Sequence, residues 1–190
     1  GRLEMRIAGR FNLQNALAAI AVSRILELDF DAAAAALNTF PGARRRMEWK
    51  GSARGIDVYD DYAHHPTEIC SALNALNQKA AGRKIVIFQP HRYSRTQRFM
   101  KEFAAALDTA EVLIVLDVYP AGDRPIDGIS GKSIYDLLTA ADNRYYCETR
   151  SECLGLLMEI VRRGDTLLTV GAGNVYQVGE QLLEQLKQGT

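Results

Sequence analysis

From about residue 44 onward, the apolar positions fall into short unbroken runs separated by longer stretches of mixed character. Residues 84–88 (KIVIF), 112–117 (VLIVLD) and 166–170 (TLLTV) are runs of strand length, and 144–147 (RYYC) is a shorter one. Continuous apolar runs, rather than alternating ones, are what strands buried on both faces look like. The stretches between and after them read as helices over 67–80, 96–107, 133–140, 151–163 and 174–187. Strand and helix therefore alternate, which predicts an α/β fold with a mostly parallel sheet and helices on both faces. Ahead of this, 47–49 and 56–59 flank a glycine-bounded segment, 51–55, and predict a hairpin. Residues 1–41 read as helical instead, with one helix running from Ala16 to about residue 28 and a second over 31–37 capped by Asp29 and stopped by Pro41-Gly42. Two such helices cannot bury their apolar faces alone. The expected boundaries are 1–41 as the tail of a preceding domain and 42–190 as a domain of its own.

Composition adds little to this and excludes a good deal. With 190 residues, 47% of them hydrophobic, and a formal net charge of zero, the chain has no electrostatic reason to bind nucleic acid or an anionic membrane. No apolar stretch approaches the roughly 20 residues that span a bilayer, and the opening GRLEMR is unlike a signal peptide. Cys70, Cys147 and Cys153 are odd in number and lack a C-x-x-C spacing, which speaks against a disulfide framework or a zinc knuckle. A reducing cytoplasm is the expected setting.

The three histidines change the picture. His64 and His65 follow the run 56–59, and His91 follows 84–88, so all three fall just past the carboxyl ends of predicted strands. That edge is where open α/β sheets bind ligands. Adjacent histidines point opposite ways in an extended chain, so one of the pair is expected to meet a ligand while the other packs or caps a helix. Arg92 and Arg95 lie beside His91 at a helix start, and their guanidinium forks suit carboxylate and phosphate oxygens. Arg44-Arg45-Arg46 is open to two readings, a solvated hinge segment or a reach toward a nucleotide phosphate.

Other motifs weigh less. Gly131-Lys132-Ser133 resembles the end of a phosphate-binding loop, but Ile126 stands where that loop needs glycine, so a plain helix start is the better reading. Gly171-Ala172-Gly173 sits between a strand and a helix, yet Tyr176 replaces the third glycine of a dinucleotide fingerprint. A tight turn lining a cleft, with Asn174 capping the last helix, is expected instead. A metal site built on the histidines is disfavoured because His64 and His65 diverge, and no metal-ligating residue is assigned in this chain.

The strings DDYAHHPTE (60–68), FQPHRYSRT (88–96), DVYPAGD (117–123) and GAGN (171–174) occur in an order that resembles the Mur ligase family of peptidoglycan synthesis, from about Gly9 to the end of the chain. The resemblance implies a carboxyl-terminal Rossmann-like domain preceded by the last helices of a central ATPase domain, with the N-terminal and central domains as missing partners. It also implies ATP-dependent ligation of L-alanine to UDP-N-acetylmuramate through an acyl phosphate, assisted by Mg2+ whose ligands belong to the missing domains. By position, Asn12 and Asn15 match residues near the adenine, Arg46 one that reaches the ATP phosphates, and Asp61 one that holds the ribose. Tyr62, His64, His91, Arg92 and Arg95 match positions around the substrate carboxylate and the incoming alanine, with His91, Arg92 and Arg95 assigned to catalysis. Phe11 departs from the histidine usual in the family's adenine element, and Met47 from the usual phenylalanine. The competing readings are a related ligase that attaches a peptide to the same sugar nucleotide, a nucleotide-binding redox domain of this fold, and a histidine-based metal hydrolase.

Overall fold

The computed structural model describes residues 1–5, 10–140 and 142–188, with the backbone alone at 10 and 11. Phe11's side chain, whose role the sequence puts in question, therefore lies outside the described residues. The chain divides into two compact units, Gly1–Arg44 and Arg45–Thr190.

The first unit holds α1 (Arg10–Ile25) and α2 (Phe30–Thr39). Helical backbone begins at Arg10, six residues ahead of the expected start at Ala16, so Asn12 and Asn15 lie within α1. Asp29 caps α2, its Oδ1 accepting the Ala32 N–H at 2.9 Å. Leu13, Leu17, Val22 and Ile25 are all exposed.

The second unit is a six-stranded sheet with β1 (Glu48–Ala53), β2 (Ile56–Asp61), β3 (Lys84–Phe88), β4 (Val112–Leu116), β5 (Arg144–Cys147) and β6 (Thr166–Val170). Its order is β1-β2-β6-β3-β4-β5, antiparallel only at the β1–β2 pair. The helices are α3 (Pro66–Lys79), α4 (Tyr93–Leu107), α5 (Gly131–Tyr135), α6 (Arg150–Ile160) and α7 (Tyr176–Gln188). Side chains alternate between two cores. Ile85, Ile87, Val112, Ile114 and Leu167 join Leu157 of α6 and Val178 and Leu182 of α7 in one. Phe88 points to the other face, where its ring lies 5.4 Å from Phe103 of α4.

The hairpin differs from expectation in where it turns. β1 continues through Gly51, where the pairing slips between Trp49 and Gly51, and the reversal falls to Arg54 and Gly55. Both have positive φ, 51° and 74°, the two-residue geometry that matches the twist of paired strands. Helix α5 is also shorter than the expected 133–140. The Asp108 carboxylate accepts the Thr139 N–H at 3.1 Å and its hydroxyl at 2.8 Å, which holds 137–140 out of helical register. Its start is a capping box between Ser130 and Ser133, the helix-start reading of Gly131-Lys132-Ser133.

The register across the three middle strands positions everything that follows. Asp61 of β2 and Phe88 of β3 both pair with Val170 of β6. Three strands thus end level, and the segments that leave them emerge side by side. Ile87 is fully buried in the centre of this arrangement. Ile87→Ala should lower the unfolding free energy by about 2–5 kcal/mol in a urea titration, with an unchanged dependence on denaturant. A loss of under about 1 kcal/mol, the size of an ordinary point substitution, would contradict this packing.

Candidate active site

The chain just past β2, β3, β4 and β6 builds one cluster. Past β2, the buried Asp61 carboxylate turns back on the backbone, accepting the Met47 N–H at 2.9 Å and the Ala63 N–H at 2.8 Å. This orders the bend that presents Tyr62 and His64, whose rings meet edge to face at 5.3 Å. His64 Nδ1 lies 3.0 Å from the Tyr62 carbonyl and 3.5 Å from Glu68 Oε2, and the same carboxylate oxygen accepts the His64 N–H at 2.9 Å. His65 goes elsewhere. It is the N-cap of α3, accepting the Thr67 N–H at Nδ1, and its ring packs edge-on against Phe99 at 4.8 Å. The two histidines thus split as their adjacency requires, one in the cluster and one in the helix start.

Past β3, His91 lies 6.2 Å from His64 between ring centroids and stacks on Tyr119 at 5.7 Å, with the rings 13° from parallel. Tyr119 belongs to the segment after β4, and the two segments bridge through Arg92 N–H to Tyr119 O at 2.9 Å and Tyr119 N–H to Pro90 O at 2.8 Å. Arg95 stands one helical turn past His91, its Nη1 3.1 Å from His91 Nδ1. Arg92 is exposed and occupies the N-cap of α4 with φ +71° and ψ 135°, a conformation rare for any residue with a β-carbon. Asp123 covers the same helix start by accepting the Ser94 N–H at 3.0 Å and its hydroxyl at 2.7 Å.

Past β6, the turn Gly171-Ala172-Gly173 packs under this cluster. A β-carbon on Gly173 would lie 2.6 Å from the Tyr119 ring and 2.7 Å from Gln89 Oε1, so the close approach requires glycine. Asn174 does not cap the last helix as expected. Helix α7 begins at Tyr176, Asn174 offers its backbone carbonyl to the Gln177 N–H, and its side-chain oxygen is buried with no partner.

The sequence reading missed what joins these segments. Arg45 donates from Nε to Asp60 Oδ2 at 2.8 Å, from Nη2 to Gly171 O at 2.6 Å and from Nη1 to Gly173 O at 3.1 Å. Its guanidinium also lies 5.0 Å from the Tyr62 ring and 4.8 Å from that of Tyr176. Asp60 is fully buried, with Thr169 Oγ1 donating to its other oxygen at 2.7 Å. Its signal was in the sequence: Ile56, Val58 and Asp60 share one face of β2, and an acidic residue on an apolar face needs a cation. Arg45 is thus committed within the protein. Arg46, by contrast, is exposed, 5.8 Å from the Tyr62 ring.

Burial pushes the Asp60 and Asp61 carboxyls above the usual range, against the opposing pull of Arg45 and Thr169 on one and of the Ala63 and Met47 amides on the other. Burial, then Arg95 and the neighbouring His64 and Arg92, hold His91 down at about 4. His91 is neutral at pH 7, and because an arginine can only donate, its Nδ1 is the acceptor and Nε2 carries the proton. Among the described residues no three His, Cys, Asp or Glu side chains gather into a metal site, and no helix is long and apolar enough to cross a membrane.

The family profile of the Mur ligase glutamate ligase domain matches residues 45–173. The chain belongs to the Mur ligase family. Among its relatives, a UDP-N-acetylmuramate–L-alanine ligase from Pelotomaculum thermopropionicum is 44% identical over 99% of the chain, and one from Dictyoglomus turgidum is 45% identical over 96%. The chain covers only 41% and 40% of their respective lengths. The crystal structure of a UDP-N-acetylmuramate-alanine ligase from Thermotoga maritima superposes with a TM-score of 0.83 at 31% identity, over 99% of this chain and 40% of that one. The matched family region begins at Arg45, where the second compact unit begins, and ends at Gly173, so it contains all four strand-end segments.

The His91 assignment has a direct check. In an NMR titration its ring should be half-protonated only near pH 4, and Arg95→Gln should move that midpoint upward. The unfolded chain, with an ordinary imidazole near 6.5, takes the proton first. Stability from this residue is therefore fully present above about pH 6.5 and lost as the pH falls toward 4.

Proposed function

We propose that the chain is the carboxyl-terminal part of an ATP-dependent ligase that joins L-alanine to UDP-N-acetylmuramate in peptidoglycan synthesis in the bacterial cytoplasm. On this reading Gly1–Arg44 ends the central ATPase domain, and the domain that recognises the sugar lies with the rest of the protein. The observation that carries the reading is the convergence of His64, His91 and Arg95 at one sheet edge beside the exposed Arg92, inside the region matched by the family. The relatives above, which span this chain nearly end to end, supply the substrates.

The chemistry asks for what this edge offers. The muramyl carboxylate is phosphorylated from ATP, the alanine amine attacks the acyl carbon, and phosphate leaves. Such steps depend on positioning and on cations and oriented donors around anionic oxygens. Arg92 and Arg95 supply two forks, one for the alanine carboxylate and the other for the muramyl or phosphate oxygens. His91, held by Arg95 at Nδ1, offers a fixed Nε2–H to an oxygen; with its midpoint near 4 it is a donor and not a base at neutral pH. Tyr62 lines the same edge. Arg46 is an exposed cation suited to the ATP phosphates, and Asn12 and Asn15 are assigned to the adenine. Asp61 has one backbone amide on each oxygen, and a carboxylate has lone pairs beyond those two to accept a ribose hydroxyl. Mg2+ supplies charge neutralisation to the phosphoryl step, and its ligands are assigned to the domains outside this chain.

The roles separate by substrate in the ligase of full length. Arg46→Ala should raise the KM for ATP by about tenfold, the effect of losing one hydrogen bond to a charged group, and leave the KM for alanine nearly unchanged. Arg92→Lys and Arg95→Lys keep the charge and lose the fork; each should raise the KM for alanine by about tenfold at saturating ATP. Steady-state phosphate release with each substrate varied in turn is the measurement, and a reversed pattern would overturn the assignment.

A further inference from the structure

The two histidines of the cluster are opposite in hydrogen-bond polarity. A carbonyl oxygen can only accept, so His64 Nδ1, 3.0 Å from the Tyr62 carbonyl, carries the proton, and the Glu68 carboxylate 3.5 Å away reinforces that choice. Neutral His64 therefore has its lone pair on Nε2. Neutral His91 has its lone pair on Nδ1, taken up by Arg95, and its proton on Nε2. One ring ends in an acceptor and the other in a donor, with 6.2 Å between their centroids.

The reaction needs one such acceptor. The amine of an amino acid is an ammonium at neutral pH, and an ammonium has no lone pair with which to attack. Imidazole is the side chain whose ordinary titration range suits that proton transfer. His91 is excluded because its lone pair is occupied and its midpoint lies near 4. Asp61 is buried and held by two amides, and Glu68 is held by the His64 N–H and ring. Among the described residues, the charged and titratable groups around His64 are Glu68 from α3, Tyr62 just past β2 with Arg45 against its ring, His91 after β3 with Arg95 and Arg92 behind it, and Arg46, whose charge reaches Glu68.

We propose that His64 is the general base that takes a proton from the incoming amine through Nε2, with Glu68 as the positioning residue that reinforces the tautomer set by the Tyr62 carbonyl. The assignment rests on the ligase reading above and gives the site its reacting base. The ammonium N–H bond breaks and the proton goes to His64 Nε2. The nitrogen lone pair then forms the N–C bond to the acyl carbon. The C–O bond to phosphate breaks as phosphate leaves with its electron pair, and the second amine proton leaves with phosphate or water.

Hydroxylamine separates this role from simple binding, because it is already uncharged at neutral pH and attacks acyl phosphates without a base. In the ligase of full length, His64→Gln should lower the rate with alanine by about a hundredfold or more, the usual contribution of a positioned base, and leave hydroxamate formation from UDP-N-acetylmuramate, ATP and hydroxylamine close to that of the parent. The remaining alanine rate should climb with pH as free amine accumulates. Glu68→Gln should show the same split at reduced size, with circular dichroism and thermal midpoint near the parent's. Equal loss with both nucleophiles would make His64 a residue that places the acyl group and overturn the proposal, as would unimpaired use of alanine. A parent protein with no ATP-dependent turnover of either nucleophile would instead sink the ligase reading, and the assignment with it.

Discussion

The Asp60–Arg45 pair is the interaction on which the site's geometry depends. A carboxylate with no exposed surface cannot remain charged without a cation and further donors, and Asp60 has Arg45 and Thr169. Removing one partner of such a pair typically costs about 3–5 kcal/mol because the other is left buried and uncompensated. The guanidinium does more than neutralise, since it reaches the carbonyls of the glycine turn after β6 and lies against Tyr62 and Tyr176. One side chain thus ties the start of the domain, the end of β2 and the loop after β6 into a common frame, and the level strand ends carry His64 and His91 into register above it.

Much of this was legible in the sequence. Continuous apolar runs marked β3, β4 and β6 nearly to the residue, because strands buried on both faces leave little freedom in composition. Histidines and arginines just past those runs marked the edge, because parallel strands deliver their carboxyl ends to one side. The less legible parts depended on long-range contacts. No local pattern announces that β6, the last strand in the chain, inserts between β2 and β3, and that insertion brings Gly173 against Tyr119. Helix α5 is shorter than its sequence pattern predicts because Asp108, 31 residues upstream, binds Thr139. Arg45 was hidden in a run of three arginines that looked interchangeable, although burial of Asp60 makes them different.

The histidine pair shows how local contacts assign chemistry. Whether an imidazole presents a proton or a lone pair depends on what holds its other nitrogen, here a carbonyl for His64 and a guanidinium for His91. The sequence places both rings at the same edge and cannot distinguish them. A carbonyl contact within two residues of His64 and an arginine one turn past His91 do.

Arg92 adds a constraint of a different kind. Its backbone sits at φ +71°, which glycine adopts freely and arginine only with strain of about 1–3 kcal/mol. Selection for stability alone would replace it with glycine, while the guanidinium exists only if that strain is tolerated. Stability-guided engineering of this domain would therefore favour glycine at position 92 and erase the exposed cation with the strain.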